Sequence, residues 1–212
     1  MEKIKIALTK GRLAEKSIQL FETMGIRFSA FYEDSRKLII PSDCENFEVI
    51  LVKALDVTTY VENGAADLGI AGKDTLLETN ADVFEIVDLG FGKCRFAVAG
   101  PTHFDINQAV KLSVATKYPK VASQYFSDQG KQIETIKLNG SVELAPLVGL
   151  SDVIVDIVET GRTLDENGLE ILENMHDISA RLVANKASFK TKNQALKPLI
   201  EEVKEVIAVR QG

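Results

Sequence analysis

The chain has 212 residues, 45% of them hydrophobic and 26% charged, which provides enough apolar material for one α/β domain or two small ones. Its formal net charge of −6 disfavours a nucleic-acid-binding surface but allows a local basic pocket for a phosphorylated small molecule. The two histidines, His103 and His176, and the two distant cysteines disfavour a histidine zinc site, a serine triad and a catalytic cysteine.

The N-terminal segment predicts a strand followed by a helix. Apolar and polar residues alternate over 3–9, and apolar residues recur at helical spacing over 13–24. Lys10 and Arg12 would therefore lie at the carboxyl end of a strand, where open α/β sheets bind ligands. Taken alone, a solvated basic turn explains these two residues more simply.

A second turn of this kind is predicted further along the chain. Leu68–Ala71 predicts a short strand, and Gly69 and Gly72 permit a close approach of the backbone. Lys73 and Asp74 would begin the next helix, which again places charge at the end of a strand.

The remaining pattern alternates strands and helices, which predicts an α/β fold. Further strands are predicted at 36–41, 47–52, 83–89, 94–99, 112–115, 133–138 and 178–185. Helices are predicted at 54–63, around 121–126, from a cap at 139–141 to residue 148, and over 196–207. Lys93–Pro101 and Ile178–Asn185 are interpreted as two crossings between lobes, with the second lobe inserted into the first. Proteins of this kind bind ligands in the cleft between the lobes.

Ser151–Leu169 is the stretch most typical of a ligand site. A buried strand, Val153–Val158, leads into a turn with hydroxyls and a glycine, and a helix is predicted from Leu164 with Thr163 as its N-cap. Such turns bind phosphate through backbone N–H groups, the helix dipole and hydroxyl donors. Asp156 and Glu159 would repel a phosphate, so they should face sugar hydroxyls or a magnesium ion. An ordinary capped turn is the alternative.

Five cations are predicted at strand ends. They are Lys10, Arg12, Lys73, Lys117 and Arg162. In a net-acidic chain, this concentration suits a polyanionic small molecule. Met1–Leu8 is too short and too charged for a signal peptide, and no apolar run is long enough to span a membrane, so we expect a cytoplasmic protein that does not bind membranes or nucleic acid.

Five motifs, in order, resemble the ATP phosphoribosyltransferase family. They are TKGRL at 9–13, GAADLGIAGKD at 64–74, ATKYP at 115–119, GSVE at 140–143 and DVIVDIVETGRTL at 152–164. The resemblance covers residues 8–169. It implies transfer of the phosphoribosyl group of phosphoribosyl pyrophosphate to N1 of ATP, a pentosyl transfer that releases pyrophosphate, requires Mg²⁺ and begins histidine biosynthesis. It also implies a fold like the two-lobed type II periplasmic binding proteins, with lobe I over 1–96 and 181–212 and lobe II over 97–180.

The resemblance also implies roles for individual residues. Lys10, Arg12 and Asp156 would support catalysis without a side-chain nucleophile, and the substrate phosphates would hold most of the Mg²⁺ coordination. The phosphoribosyl pyrophosphate site would comprise Asp156, Glu159, Thr160, Gly161, Arg162 and Thr163. The ATP and pyrophosphate side would comprise Lys10, Gly11, Arg12, Asp67, Gly69, Gly72, Lys73, Asp74 and Glu143.

The length of the chain resembles the short form of the family. Short-form enzymes pair with a catalytically inert paralogue of histidyl-tRNA synthetase, which implies a homodimer within a hetero-oligomer, a hetero-octamer. Thr9 stands where many members have proline, and Val155 departs from the paired acids of type I phosphoribosyltransferases. A type I enzyme and a two-lobed binding protein without chemistry are the competing hypotheses.

Overall fold

A computed structural model describes residues 3–33, 36–107 and 111–211. The chain divides into two compact units, Met1–Gly92 with Ser179–Gly212 (unit 1) and Lys93–Ile178 (unit 2). Unit 2 is thus inserted into unit 1. The chain passes between the units at 92/93 and 178/179, whereas the sequence prediction placed these passages at 96/97 and 180/181.

Strands and helices alternate along most of the chain. In chain order the strands are β1 (Ile4–Thr9), β2 (Ile39–Pro41), β3 (Phe47–Val52), β4 (Leu68–Gly72), β5 (Phe84–Asp88), β6 (Cys94–Pro101), β7 (Leu112–Thr116), β8 (Ile133–Lys137), β9 (Val153–Val158), β10 (Leu169–Ile178) and β11 (Ala180–Ala184). The helices are α1 (Arg12–Thr23), α2 (Ala54–Glu62), α3 (Lys73–Thr79), α4 (Pro119–Asp128), α5 (Leu144–Leu147), α6 (Arg162–Glu166), α7 (Lys186–Thr191) and α8 (Asn193–Gln211).

Unit 1 is built on a sheet with the strand order β2-β3-β1-β4-β11-β5. β1 is parallel to β3 and β4, and β11 is antiparallel to β4 and β5, so the carboxyl ends of β1, β3, β4 and β5 share an edge with the amino end of β11. Ile18 of α1 and Val203 of α8 belong to the core on one face, and Val57 and Val61 of α2 belong to the core on the other. This arrangement gives unit 1 a single edge at which ligand-binding turns can lie.

Unit 2 is built on a sheet with the strand order β10-β6-β9-β7-β8. β9, β7 and β8 are parallel, and β6 is antiparallel to both of its neighbours. Phe96 and Val155 belong to the core on one face with Phe126 of α4, and Ile154 belongs to the core on the other face with Leu164 of α6. Successive residues of β9 therefore enter different cores, as the two-residue period of a strand requires.

The largest error of the sequence prediction lies after the β9 turn. A helix was expected from Leu164 onward, but α6 ends at Glu166 and the edge strand β10 follows. Gly168, with φ of 68°, adopts the left-handed conformation that ends helices. β10 is stabilised by pairing with β6, about seventy residues earlier in the chain, and local periodicity does not reveal such pairing. In the part of the chain that the structure describes, no helix combines the length and apolar composition needed to cross a membrane.

Candidate active site

The carboxyl edge of the unit 2 sheet brings β6 and β9 together. β9 ends at this edge and the antiparallel β6 begins there, so Arg95 pairs with Val158 and Ala97 pairs with Asp156. Paired residues on neighbouring strands point to the same face. Arg95, Asp156 and Val158 therefore share one face of the sheet, which α6 covers.

Asp156 is the acid that the sequence predicts beside the sugar. It is half-buried, and its Oδ1 accepts a hydrogen bond of 2.8 Å from the backbone N–H of Ile157. Val155 is completely buried in the core on the opposite face. A second acid at position 155 would be costly to desolvate there, which explains in physical terms why one acid rather than two adjacent acids precedes the turn.

The turn after β9 exposes two hydroxyl groups. Gly161 is the N-cap of α6 with φ of 83°, so the helix begins at Arg162 and the prediction of Thr163 as N-cap is wrong. The Thr160 Oγ1 accepts a long bond of 3.4 Å from the Arg162 N–H. Thr160 and Thr163 are exposed. Because α6 has only five residues, its dipole is small, and backbone N–H groups and hydroxyls are the main donors of the turn.

The charged side chains of this turn differ in their surroundings. The Arg162 Nε donates a 2.7 Å hydrogen bond to Glu166, and the side chains are 83% and 60% exposed. This pairing directs the Arg162 guanidinium along α6, so Arg162 is a weaker candidate for phosphate binding than its sequence position indicates. Asp156 and Glu159 remain as carboxylates beside the turn, and oxygen donors of this kind suit Mg²⁺.

Arg95 was missed by the sequence prediction. Its Nε is buried and has no hydrogen-bond partner among the residues that the structure describes. It is the charged member of a strand whose residues 96–100 are all buried. A single charged residue in an otherwise apolar strand is the sequence feature that could have indicated a role for Arg95. Its position near the turn follows only from the pairing of β6 with β9.

Lys117 and Glu143 follow the other two parallel strands of unit 2, β7 and β8. Lys117 comes directly after β7, and its Nζ lies 5.7 Å from the centre of the Tyr118 ring. Glu143, assigned from the sequence to the ATP and pyrophosphate side, is half-buried at the N-cap of the short α5. Both belong to the same unit as the β9 turn.

The β1–α1 turn of unit 1 agrees with its predicted position. Lys10, Gly11 and Arg12 are exposed and follow the carboxyl end of β1. The Lys10 N–H donates to the Val52 carbonyl at 3.2 Å, which fixes the turn to β3. Gly11 has φ of 92°, a conformation that a side chain at this position would strain. The turn therefore presents two cationic side chains from a fixed backbone.

The β4–α3 turn is more strongly paired than the sequence indicates. The Lys73 Nζ lies 2.6 Å from Glu85, and Arg181 contacts the same carboxylate at 3.5 Å and Asp88 at 2.9 Å. A Cβ at Gly72 would lie 2.0 Å from the Asp74 Oδ1. The absence of a side chain at Gly72 therefore leaves space for the Asp74 carboxylate, and this is true for any ligand of the turn.

Asp67 and Gly69 do not lie where the predicted site requires them. Asp67 precedes β4 and Gly72 ends it, so about 16 Å of strand separates them. The Asp67 carboxylate is 3% exposed and accepts from the Lys5 N–H, Ser188 Oγ and Lys192 Nζ at 2.7–3.0 Å. Gly69 packs against α2, because a Cβ there would lie 2.7 Å from Val61. We therefore exclude both residues from the site and assign them to the core of unit 1.

Comparison with known proteins identifies the family to which the chain belongs. Residues 53–205 match the family model HisG: ATP phosphoribosyltransferase. The ATP phosphoribosyltransferases of Alkaliphilus metalliredigens (strain QYMF) and Clostridium novyi (strain NT) are each 53% identical to this chain, covering 97% and 98% of it and 98% and 99% of their own length. The chain belongs to the ATP phosphoribosyltransferase family. This confirms the predicted pentosyltransferase class and its place at the first step of histidine biosynthesis.

Solved structures confirm the predicted fold class. The ATP phosphoribosyl transferase (HisG:HisZ) complex from Thermotoga maritima is 37% identical, with a TM-score of 0.84 over 97% of this chain and 98% of that one. The periplasmic aliphatic sulphonate binding protein SsuA from Escherichia coli has a TM-score of 0.62 over 100% of this chain and 74% of its own. At 14% identity, SsuA bears on the fold alone.

Proposed function

We propose that the turn from Glu159 to Thr163 binds the phosphoribosyl group of phosphoribosyl pyrophosphate, and that N1 of ATP attacks C1 of that group. The position of Asp156 carries this proposal. Its carboxylate lies two residues before the end of β9, ahead of the exposed hydroxyls of Thr160 and Thr163. A carboxylate suits ribose hydroxyls, and hydroxyl and backbone N–H donors suit a phosphate, so the order of these groups matches the order of groups in the substrate.

The chemistry needs positioning and charge rather than a nucleophilic side chain. The N1 lone pair of ATP forms the new bond to C1 while the bond from C1 to the pyrophosphate oxygen breaks. Positive charge develops on the ribose ring, where the Asp156 carboxylate stabilises it, and negative charge develops on the pyrophosphate. Lys10 and Arg12 are the proposed partners of that negative charge, and each such donor contributes about 3 kcal/mol to transition-state stabilisation.

Mg²⁺ is a further part of the proposal. This ion commonly keeps several waters and binds through one or two carboxylates together with substrate phosphates. Asp156 and Glu159 are the carboxylates beside the turn that fit this donor set. When bound, the ion would neutralise charge on the departing pyrophosphate. The proposed ATP and pyrophosphate side also includes Gly11, Gly72, Lys73 and Asp74 of unit 1 and Glu143 of unit 2.

We also propose a regulatory partner. The Thermotoga maritima relative is a complex of HisG with HisZ. At 37% identity and nearly complete coverage, this similarity supports a HisZ-like subunit for this chain, and we propose that it is the histidyl-tRNA-synthetase-like partner that the sequence motifs imply. The proposed assembly is a short-form enzyme whose catalytic homodimer belongs to a hetero-oligomer, with the hetero-octamer as the specific proposal, in the cytoplasm.

A product assay tests the proposed reaction. The full chain is incubated with ATP, phosphoribosyl pyrophosphate, Mg²⁺ and a HisZ-type partner, and phosphoribosyl-ATP is followed by absorbance. We expect product that depends on both substrates. Binding of phosphoribosyl pyrophosphate without any product would favour a binding protein and contradict the proposal.

The same assay tests the turn. Thr160→Val removes a hydroxyl donor and keeps the shape, so the KM for phosphoribosyl pyrophosphate should rise about 2- to 10-fold. Thr191→Val is the matched control, because Thr191 is an exposed threonine of α7 whose Oγ1 donates to the Ala187 carbonyl. Equal KM values for the two variants would show that the turn has been misassigned.

A further inference from the structure

We propose that Arg95 binds the 5′-phosphate of the phosphoribosyl group and supplies the side-chain positive charge of that site. The inference rests on the proposed function and extends it to a residue outside the family motifs that the sequence displays.

The position of Arg95 along the sheet supports this role. Arg95 pairs with Val158, and Asp156 and Thr160 lie two residues before and two residues after Val158. Opposite residues of an antiparallel pair have Cβ atoms about 5 Å apart, and diagonal neighbours about 7–8 Å apart remain within reach of a long side chain. An arginine at this level reaches the region between the proposed sugar-binding acid and the proposed phosphate-binding turn.

The hydrogen bonding of Arg95 also points to a ligand. Buried polar groups are normally paired, and an unpaired one costs stability unless something absent from the free protein completes it. The Arg95 Nε is buried without a partner in the described residues. Asp177 of β10 lies opposite Arg95, yet no ion pair joins the two in the described part of the chain. The guanidinium therefore retains donors for an anion.

A comparison with Arg181 separates this case from ordinary packing. Arg181 also has a buried, unpartnered Nε, but its two terminal nitrogens contact Glu85 at 3.5 Å and Asp88 at 2.9 Å. Its charge is thus neutralised inside unit 1. Arg95 has no such carboxylate contact in the part of the chain described.

The charge of the β9 turn gives the last reason. Arg162, the cation within the turn, is paired with Glu166, and Glu159 adds a negative charge. A cation from another element would add positive charge for a doubly charged phosphate to the backbone N–H and hydroxyl donors of the turn. Arg95, with its planar set of donors, is suited to phosphate and lies on the face that α6 covers.

The test measures ligand binding to the full chain by calorimetry, with ribose 5-phosphate and pyrophosphate as separate probes. Arg95→Met keeps the length and apolar stem of the side chain and removes the charge. We expect about 10- to 100-fold weaker binding of ribose 5-phosphate, a similar rise in the KM for phosphoribosyl pyrophosphate, and little change in the KM for ATP. Lys111→Met is the control, since Lys111 is a 76% exposed cation of unit 2 paired with Glu134.

Unchanged ribose 5-phosphate affinity in a folded Arg95→Met variant would overturn the role of Arg95, and so would a loss confined to pyrophosphate. If this variant does not fold, Arg95→Lys decides the question. It keeps the charge but loses Nε and the planar geometry, so weakened ribose 5-phosphate binding is still expected, and unaltered binding contradicts the proposal. Failure of the unmodified chain to bind ribose 5-phosphate or form product would instead refute the proposed function itself.

Discussion

Asp67 and Asp156 are two acids beside buried strands, and the sequence placed both in the active site. Asp67 is 3% exposed, and its carboxylate is fixed by a backbone N–H, a serine and a lysine. Asp156 is half-buried, and its Oδ1 bonds to the neighbouring N–H of Ile157. Asp67 stands before its strand and Asp156 stands near the carboxyl end of its strand.

The difference shows that the end of the strand decides the role of the acid. At the carboxyl end of parallel strands, the backbone turns away and leaves space for a ligand. At the amino end of β4, α7 and its C-cap residue lie close by, and Ser188 and Lys192 bind the Asp67 carboxylate. We therefore expect substitution of Asp67 to affect folding and substitution of Asp156 to affect the reaction.

The largest effect is expected from Asp67→Ala. The substitution removes a buried carboxylate together with its hydrogen bonds from the Lys5 N–H and the Ser188 Oγ and its ion pair with Lys192, so the free energy of unfolding should fall by about 3–5 kcal/mol. Urea denaturation followed by circular dichroism measures this change. Asp82→Ala is the control, because Asp82 forms an exposed pair with Lys186 and should change stability by less than about 1 kcal/mol. Equal losses in the two variants would refute a structural role specific to Asp67.

Asp156→Asn should have the opposite pattern. The amide keeps the size of the side chain but cannot stabilise positive charge on the ribose, so kcat should fall about 10²- to 10³-fold while the denaturation midpoint changes little. Steady-state kinetics and denaturation on the same preparation measure both. A variant that unfolds while retaining its turnover per folded molecule would make Asp156 a structural acid like Asp67.

Gly69→Ala extends the comparison to the glycines of the predicted site. The new methyl group would lie 2.7 Å from Val61 and 3.0 Å from Val57, so α2 must shift and the free energy of unfolding should fall by about 1–3 kcal/mol. Gly140→Ala is the control, because a Cβ there would have no neighbour within 4 Å. A stable Gly69→Ala variant with impaired ATP binding would return Gly69 to the site.

The smallest effect is expected from Arg162→Ala. Its guanidinium forms an exposed pair with Glu166 at i,i+4 spacing, and such pairs contribute about 0.3–0.5 kcal/mol. The KM for phosphoribosyl pyrophosphate should change less than about 3-fold, well below the effect of Arg95→Met. A rise that exceeds the Arg95→Met effect would show that Arg162 leaves Glu166 for the substrate, and would reverse the order proposed for the two arginines.

Local sequence determined the strands of the parallel core and the turns that follow them. Alternation or continuous apolar runs fixed β1, β4 and β9, because these strands bury residues whatever their neighbours are. The motifs at 9–13 and 152–164 placed Lys10, Arg12, Asp156 and Thr160 at strand ends, and in the structure these residues lie at or just after the ends of β1 and β9. The family and its reaction could therefore be predicted from the chain alone.

Tertiary structure decided which of the candidate residues lie together and which are committed elsewhere. Asp67 and Gly69 belong to the core of unit 1, because α7 and Lys192 at its end contact Asp67 and α2 packs against Gly69, all from distant parts of the chain. β10 exists as a strand because β6 offers it a partner, and Arg95 lies opposite Val158, the last strand residue before the β9 turn, through the pairing of β6 with β9. These outcomes depend on contacts between residues far apart in sequence, which the local patterns of hydrophobicity and turn residues do not encode.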